Sequence, residues 1–255
     1  MPKSYWQLLL FLNVMANIVT RPENKTMTDL QSNNNLIERY QGVCNEVNQL
    51  CTDYASPVTL LAVSKKHPIE SIEQIYQQGQ RCFGENYVQE GVEKAQALRH
   101  LDIEWHFIGP IQSNKSRQVA EHFDWVHTID REKIAQRLND QRPCHLANLN
   151  VLIQVNISQQ DSKSGIHISE VSELAKAIID MPHLTLRGLM CIPAPSDENH
   201  LRADFLAMKQ AYESLRTNNA NIDTLSMGMS SDLALAIECA STMVRIGTAI
   251  FGQRN

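Results

Sequence analysis

Eight short apolar runs recur between residues 58 and 251, and a segment with helical signals separates each from the next. The first, Leu60-Leu61-Ala62-Val63, has no polar interruption before Ser64-Lys65. Unbroken apolar strands suit a parallel sheet covered on both faces, where the period-two alternation of a half-exposed strand disappears. The runs read as strands at about Val58–Lys65, Arg81–Glu85, Glu104–Gly109, Trp125–Ile129, Val151–Ile157, Leu184–Ile192, Thr224–Met229 and Met243–Phe251. Helices are expected from Pro68 to Gly79, from Tyr87 to Leu98, around Val119, after Asp130 as a cap, from Ser169 to Asp180, from Asn199 to Thr217, and after Ser230-Ser231-Asp232. An amphipathic helix precedes the first strand, with Leu36, Ile37, Tyr40, Val43, Val47 and Leu50 recurring at three and four. Strand–helix alternation sustained through eight units predicts a single (β/α)8 barrel. A doubly wound sheet is the alternative, and the missing G-x-G-x-x-G turn weakens a dinucleotide-binding reading.

Composition narrows the function class. The 255 residues are 43% apolar and 20% charged, with a net charge of -5 and no Lys/Arg run. A nucleic-acid partner has no electrostatic footprint in such a chain. Cys44, Cys51, Cys82, Cys144, Cys191 and Cys239 are scattered, with no C-x-x-C pair. That argues against zinc and against a disulfide framework, and a reducing cytoplasm is expected. Near the start, the apolar run from Trp6 to Met15 is interrupted by Gln7 and Asn13 and is too short to span a bilayer. Residues 1–26 are read as an extension outside the fold, from an upstream start, with an export signal as the minority reading. Residues 27–255 are read as the barrel.

The chemistry of such a barrel lies at the C-terminal ends of its strands. Read in turn, these ends carry Lys65, Glu85-Asn86, Ile108-Gly109, Asp130, Asn156, Met190, Gly228-Met229-Ser230-Ser231 and Gly247-Thr248. Lys65 is either a solvated strand end or a held nucleophile. Ser230-Ser231 before a helix and Gly247-Thr248 after the last strand follow strands seven and eight, the usual phosphate position of this fold. Alone, each is an ordinary cap or loop; together they point to an anion. A phosphate site beside a strand-end lysine suggests a phosphorylated aldehyde held as a Schiff base, as lysine forms with pyridoxal 5'-phosphate (PLP). Arg245 and Gly247 are two apart on the last strand and point the same way. A guanidinium at the ring nitrogen would keep that nitrogen unprotonated; an interior ion pair is the other reading of Arg245. His106, inside an apolar strand, reads more readily as a satisfied interior histidine than as an acid or base.

Several stretches carry a family resemblance. Leu61–Lys65, Phe83–Glu90, Trp105–Gly109 with Gln112, Asn114 and Lys115, Ser162–Gly165, Leu225–Asp232 and Val244–Gly252 resemble the YggS/PROSC family of PLP homeostasis proteins, over about Asn35 to Arg254. The resemblance implies a barrel of the alanine racemase N-terminal-domain type, a Schiff base on Lys65, and phosphate contacts from Ser230, Ser231, Gly247 and Thr248. It places Arg245 near the ring nitrogen, and Asn86 and His106 in the pocket lining. It implies binding and delivery of PLP within the cell, in balance with vitamin B6 and amino-acid pools, with PLP-dependent apo-enzymes as partners and no established turnover. Two enzyme readings remain. A PLP-dependent racemase would need a second base, which alanine racemases take from a tyrosine on a further domain that this chain is expected to lack. A Schiff-base aldolase or lyase on sugar phosphates would share the lysine and the turns without a cofactor. No membrane partner and no metal are expected, and a monomer is favoured. Lys163, in the loop after strand five, is either a solvated charge or a gate.

Overall fold

Closure is made by the two ends of the strand series. In the computed structural model, which describes residues 27–160, 163–217 and 219–253, Thr59 to Ala62 pair in parallel with Met243 to Ile246. Around the ring, in chain order, stand β1 (Thr59–Val63), β2 (Cys82–Glu85), β3 (Glu104–Phe107), β4 (Trp125–Ile129), β5 (Leu149–Val155), β6 (Leu184–Cys191), β7 (Thr224–Ser226) and β8 (Met243–Ile246). Every neighbouring pair is parallel. The helices are α1 (Met27–Asp53), α2 (Ile69–Gln77), α3 (Val88–Ala97), α4 (Ser116–His122), α5 (Glu132–Gln141), α6 (Val171–Ile179), α7 (Glu198–Arg216), α8 (Leu233–Glu238) and α9 (Thr248–Phe251). The expected (β/α)8 architecture is therefore the one observed. It forms one compact unit, Asn35–Asn255. Residues 1–26, read above as an extension, lie outside the described residues.

Most of the core lies between barrel and helices. Ala62, Phe83, Phe107, Val126 and Val151 from the strands join Ile72, Ile75, Ile134, Leu138, Ile178, Phe205 and Met208 from the helices in one apolar cluster. Burial on that scale is worth about 1.5–3 kcal/mol for each large side chain, which explains why the helices keep an apolar stripe. Trp125, Leu152 and Met190 form a second, small cluster. Buried polar groups, His106, His127, Ser226 and Arg245, are found alongside it. In α1, Leu36, Tyr40, Val43 and Val47 are buried. From the same helix, Arg39 Nε donates to the Ile250 carbonyl at 2.8 Å and Nη2 to that of Phe251 at 3.3 Å. A cation thus meets the last carbonyls of α9, where helical carbonyls lack internal partners.

Three local expectations need correction. The last strand stops at Ile246, and Thr248–Phe251 is helical, because a short apolar run does not by itself separate a strand from a buried helix. The seventh strand stops at Ser226, and Gly228, at φ 97°, turns the chain. Asp130 does not cap α5: Arg131 holds that position without a side-chain cap, and Asp130 pairs with the Arg131 guanidinium instead.

Between β5 and β6 the register shifts after Val151, and Gly188 lies at the shift with φ 147°. A Cβ there would fall 1.9 Å from the Thr224 carbonyl oxygen. Gly188→Ala is expected to cost about 2–3 kcal/mol of stability from strained backbone and clash together. Urea denaturation measures it, and an unchanged midpoint would contradict this account.

Candidate functional site

The C-terminal mouth of the barrel holds a cavity of about 280 Å³. Its walls are Val63, Lys65, Asn86, Ile108, Met190, Ile192, Met229, Ser230, Ser231, Arg245, Gly247 and Thr248. The side chains converge because β1, β2, β3, β6, β7 and β8 all release their chains there. Lys65 follows the buried strand end Val63-Ser64, and Lys66 at φ 63° turns the chain away at once. The lysine at the mouth is half-buried.

The lining has a clear electrostatic character. It contains two cationic side chains, Lys65 and Arg245, and no carboxylate. Arg245 is 5% exposed, and burial is the main influence lowering its pKa from the ordinary arginine value. Its hydrogen-bond partners are neutral: Nη1 donates to Ser226 Oγ at 2.7 Å and Nη2 to the Cys191 carbonyl at 2.8 Å. The ion-pair reading of Arg245 is replaced by hydrogen bonding to a hydroxyl and a carbonyl. Two helix starts meet the same cavity, since Ser230 and Ser231 precede α8 and Gly247 stands before α9. The Asp232 carboxylate folds back onto the Met229 amide, which holds the Met229–Asp232 turn in shape. Hydroxyls and helix starts beside two cations favour an anion. Val63, Ile108, Met190, Ile192 and Met229 supply apolar walls that suit a flat ring. Asn86 Oδ1 is buried with no hydrogen-bond partner, a vacancy that a polar ligand could fill.

Seven of the eight residues expected at the site line this one cavity: Lys65, Asn86, Ser230, Ser231, Arg245, Gly247 and Thr248. His106 does not. It is fully buried in β3, stacked on Trp125 at 5.2 Å and hydrogen-bonded to Glu104 and His127. Lys163 also stands outside the lining, in the loop after β5, and its neighbour Ser162 lies outside the described residues. Of the apolar walls, Ile108, Met190 and Met229 stand among the strand ends read in the sequence, whereas Val63 and Ile192 were not singled out; Ser226, buried beside Arg245, was missed because nothing local marks a serine inside an apolar strand.

Beneath the lysine lies a buried charge network. Lys94 Nζ donates to Glu85 Oε1 at 2.8 Å, Glu90 Oε1 at 2.7 Å and the Ser64 carbonyl at 2.8 Å. Ser64 Oγ donates to the same Glu85 oxygen at 2.7 Å. The network therefore clamps the residues immediately before Lys65 and Asn86. All six cysteines are free, and burial pushes the thiols of Cys82 and Cys191 up to about 12.

This fold and mouth define a class. Residues 45–255 match the sequence model of the family described as "Alanine racemase, N-terminal domain". The fold recurs in an alanine racemase of Clostridium difficile, at 13% identity and a TM-score of 0.71, covering 85% of this chain and 60% of that one. Nearer relatives are more specific. The pyridoxal phosphate homeostasis protein of Pasteurella multocida is 57% identical over 226 residues, covering 87% of this chain and 97% of the relative. That of Escherichia coli K12 is 58% identical over 210 residues, covering 80% and 89%. PipY of Synechococcus elongatus, solved with PLP bound, superposes with a TM-score of 0.69 at 35% identity, covering 76% of this chain and 92% of PipY. The chain belongs to the pyridoxal phosphate homeostasis protein family.

Proposed function

We propose that this protein binds PLP in the mouth cavity and carries it within the cell, holding the supply of active vitamin B6 steady for PLP-dependent apo-enzymes. The observation that carries the reading is the lining itself: an amine and a guanidinium, hydroxyls at two helix starts, apolar walls and no acid. That set suits a flat, anionic, aldehyde-bearing ligand, and PipY is a relative solved with PLP bound. Lys65 would hold PLP through its amine, and PLP would supply the aldehyde for a Schiff-base link.

The other residues bind and orient. Ser230, Ser231, Gly247 and Thr248 take the phosphate, through hydroxyls and backbone at the starts of α8 and α9. Arg245 would face the ring nitrogen, and because a guanidinium does not release its proton, it would keep that nitrogen unprotonated. The ring is then a weaker electron sink, which suits carriage better than carbanion chemistry. Asn86 contributes the one amide of the lining.

The lining also speaks against racemisation, which needs a base on each face of the bound amino acid. Lys65 is its one basic side chain able to exchange a proton, with no tyrosine, histidine, cysteine or carboxylate beside it. The relatives carry names of homeostasis proteins rather than enzymes. Among the described residues no helix is long and apolar enough to cross a membrane, and a cytoplasmic monomer is the state we propose.

Titration with PLP and with pyridoxal, which lacks the phosphate, tests the assignment by absorption and calorimetry. Wild type is expected to bind PLP at least about 100-fold more tightly, the worth of two charge-assisted hydrogen bonds. Ser231→Ala combined with Thr248→Ala should lower PLP affinity by about 10- to 100-fold and leave pyridoxal nearly unaffected. Equal loss for both ligands would remove the phosphate from these turns. A protein that binds neither would promote the sugar-phosphate lyase reading, and rapid alanine racemisation by the loaded protein would overturn the carrier reading.

A further inference from the structure

A second cavity, of about 730 Å³, opens at the opposite, N-terminal mouth of the barrel. It is lined by Cys82, Glu104, Trp125 and Arg187, among others, and shares no lining residue with the cofactor cavity. Yet a continuous line of side chains joins the two through the barrel interior. Glu104 Oε1 lies 2.8 Å from His106 Nε2, His106 Nδ1 lies 2.9 Å from His127 Nε2, His127 Nδ1 lies 3.3 Å from Ser226 Oγ, and Ser226 Oγ lies 2.7 Å from Arg245 Nη1. His106, His127 and Ser226 are each 0% exposed.

The two ends fix the direction of this line. A guanidinium only donates, and an ionised carboxylate only accepts. Burial pushes the Glu104 carboxyl up, but hydrogen bonds from His106, Trp125 and Cys82 oppose burial and keep it ionised, below the ordinary glutamate value. With both imidazoles neutral, one proton arrangement satisfies every link between these ends. Arg245 donates to Ser226, Ser226 to His127 Nδ1, His127 from Nε2 to His106 Nδ1, and His106 from Nε2 to Glu104. Each imidazole then carries a single hydrogen, on Nε2. Burial first, then His106 and Arg245, lower the His127 pKa far below the usual histidine value, in keeping with that count. Every hydrogen-bond dipole in the line turns its negative end towards Arg245. The Asp232 carboxylate near the cofactor mouth favours the buried guanidinium, and the relay adds to it a line of dipoles that ends on a carboxylate at the far mouth.

We propose that Glu104, His106, His127 and Ser226 are positioning residues for the cofactor pocket, a through-barrel relay by which the carboxylate at one mouth sets the placement and field of Arg245 at the other. The proposal rests on the reading that PLP occupies the mouth cavity with Arg245 at its ring. It assigns His106 a role at a distance in place of the wall contact expected from the sequence. Cooperative polarisation along a buried chain makes such an effect larger than its separate links would give.

The test compares wild type with Glu104→Leu, which removes the acceptor, and Glu104→Gln, which keeps an acceptor oxygen without the charge. Glu213→Gln is the control, since Glu213 lines the same N-terminal cavity and pairs with Lys209 outside the relay. Readouts are PLP affinity, the absorption maximum of bound PLP, and imidazole nitrogen chemical shifts by NMR of the unliganded protein. Glu104→Leu is expected to weaken PLP binding by about 3- to 30-fold and to shift the absorption maximum. Glu104→Gln should fall in between, and Glu213→Gln should match wild type. In wild-type spectra both imidazoles should carry their hydrogen on Nε2, and in Glu104→Leu at least one should change tautomer. A Glu104→Leu protein with lower thermal stability but unchanged affinity, absorption maximum and tautomers would overturn the proposal. So would a wild-type His127 protonated on Nδ1, a result that holds even if Glu104→Leu fails to fold. A wild type that binds no PLP defeats the cofactor reading alone, and the tautomer spectra still decide the relay.

Discussion

Lys65→Ala is expected to abolish the visible absorption band near ~420 nm that PLP shows when joined to a lysine, while leaving a weaker, non-covalent association through the phosphate turns that absorbs at shorter wavelength, as the free aldehyde does. The prediction is specific to this lysine because its neighbours are differently placed. Lys66 is exposed, turned away by its left-handed backbone, with its ammonium 5.9 Å from the Tyr87 ring. Lys94 is buried among Glu85, Glu90 and the Ser64 carbonyl. Lys163 stands outside the cavity. Borohydride reduction followed by intact mass measurement gives a second readout: wild type should retain one reduced cofactor per chain, and Lys65→Ala none. A band that survives in Lys65→Ala would move the covalent link to another residue and sink the assignment.

Lys94→Met should cost about 3–5 kcal/mol of stability, the usual penalty for stripping the partner from a buried carboxylate. Lys94 and Glu85 have side-chain exposures of 6% and 0%, so neither can turn to water for compensation. Glu85 Oε2 already lacks a hydrogen-bond partner. The loss should lower the melting temperature by roughly 10 °C in a chain of this size, and Glu85→Gln in the same chain should recover much of it by removing the stranded charge.

The pH dependence has a definite sign. Burial raises the Glu85 pKa in the folded protein, against the lowering pull of Lys94 and Ser64. In the window between the ordinary glutamate value and the raised one, the folded state binds more protons than the unfolded state, so stability falls as pH rises. Without Lys94 the folded pKa climbs further and the window widens. The deficit of Lys94→Met should therefore be larger at pH 8 than at pH 5, by urea denaturation at each pH. A deficit that shrinks with rising pH would show that Glu85 is not the group left exposed to the loss.

Because that network grips Ser64 and Glu85, it ties stability to function at one place. The residues that follow, Lys65 and Asn86, are the amine and the amide of the cavity. A milder disturbance there should appear first as weaker cofactor binding and only then as unfolding, since a strand end shifts before a barrel opens.

What could be read from the chain follows from local periodicity and strand-end chemistry. Unbroken apolar runs between amphipathic segments imply parallel strands under helices. Once the barrel is assumed, the strand ends alone bring Lys65, Asn86, Ser230, Ser231, Arg245, Gly247 and Thr248 to one mouth. Local pattern was least informative where two structures share it. Met243–Phe251 is apolar enough for strand or helix, and only the turn at Gly247 divides β8 from α9. It was silent on the interior. His106, His127, Ser226 and Arg245 sit on β3, β4, β7 and β8, and 139 positions separate the first from the last. Nothing in the order of residues says that a histidine inside one apolar strand meets a serine inside another. That meeting is decided when β8 closes on β1, because closure is a long-range event that brings inward-facing residues of distant strands within hydrogen-bond reach. Local periodicity places the eight strands, apart from the ends of the last two, and with them Lys65 at the mouth; closure of the barrel places what stands behind Arg245.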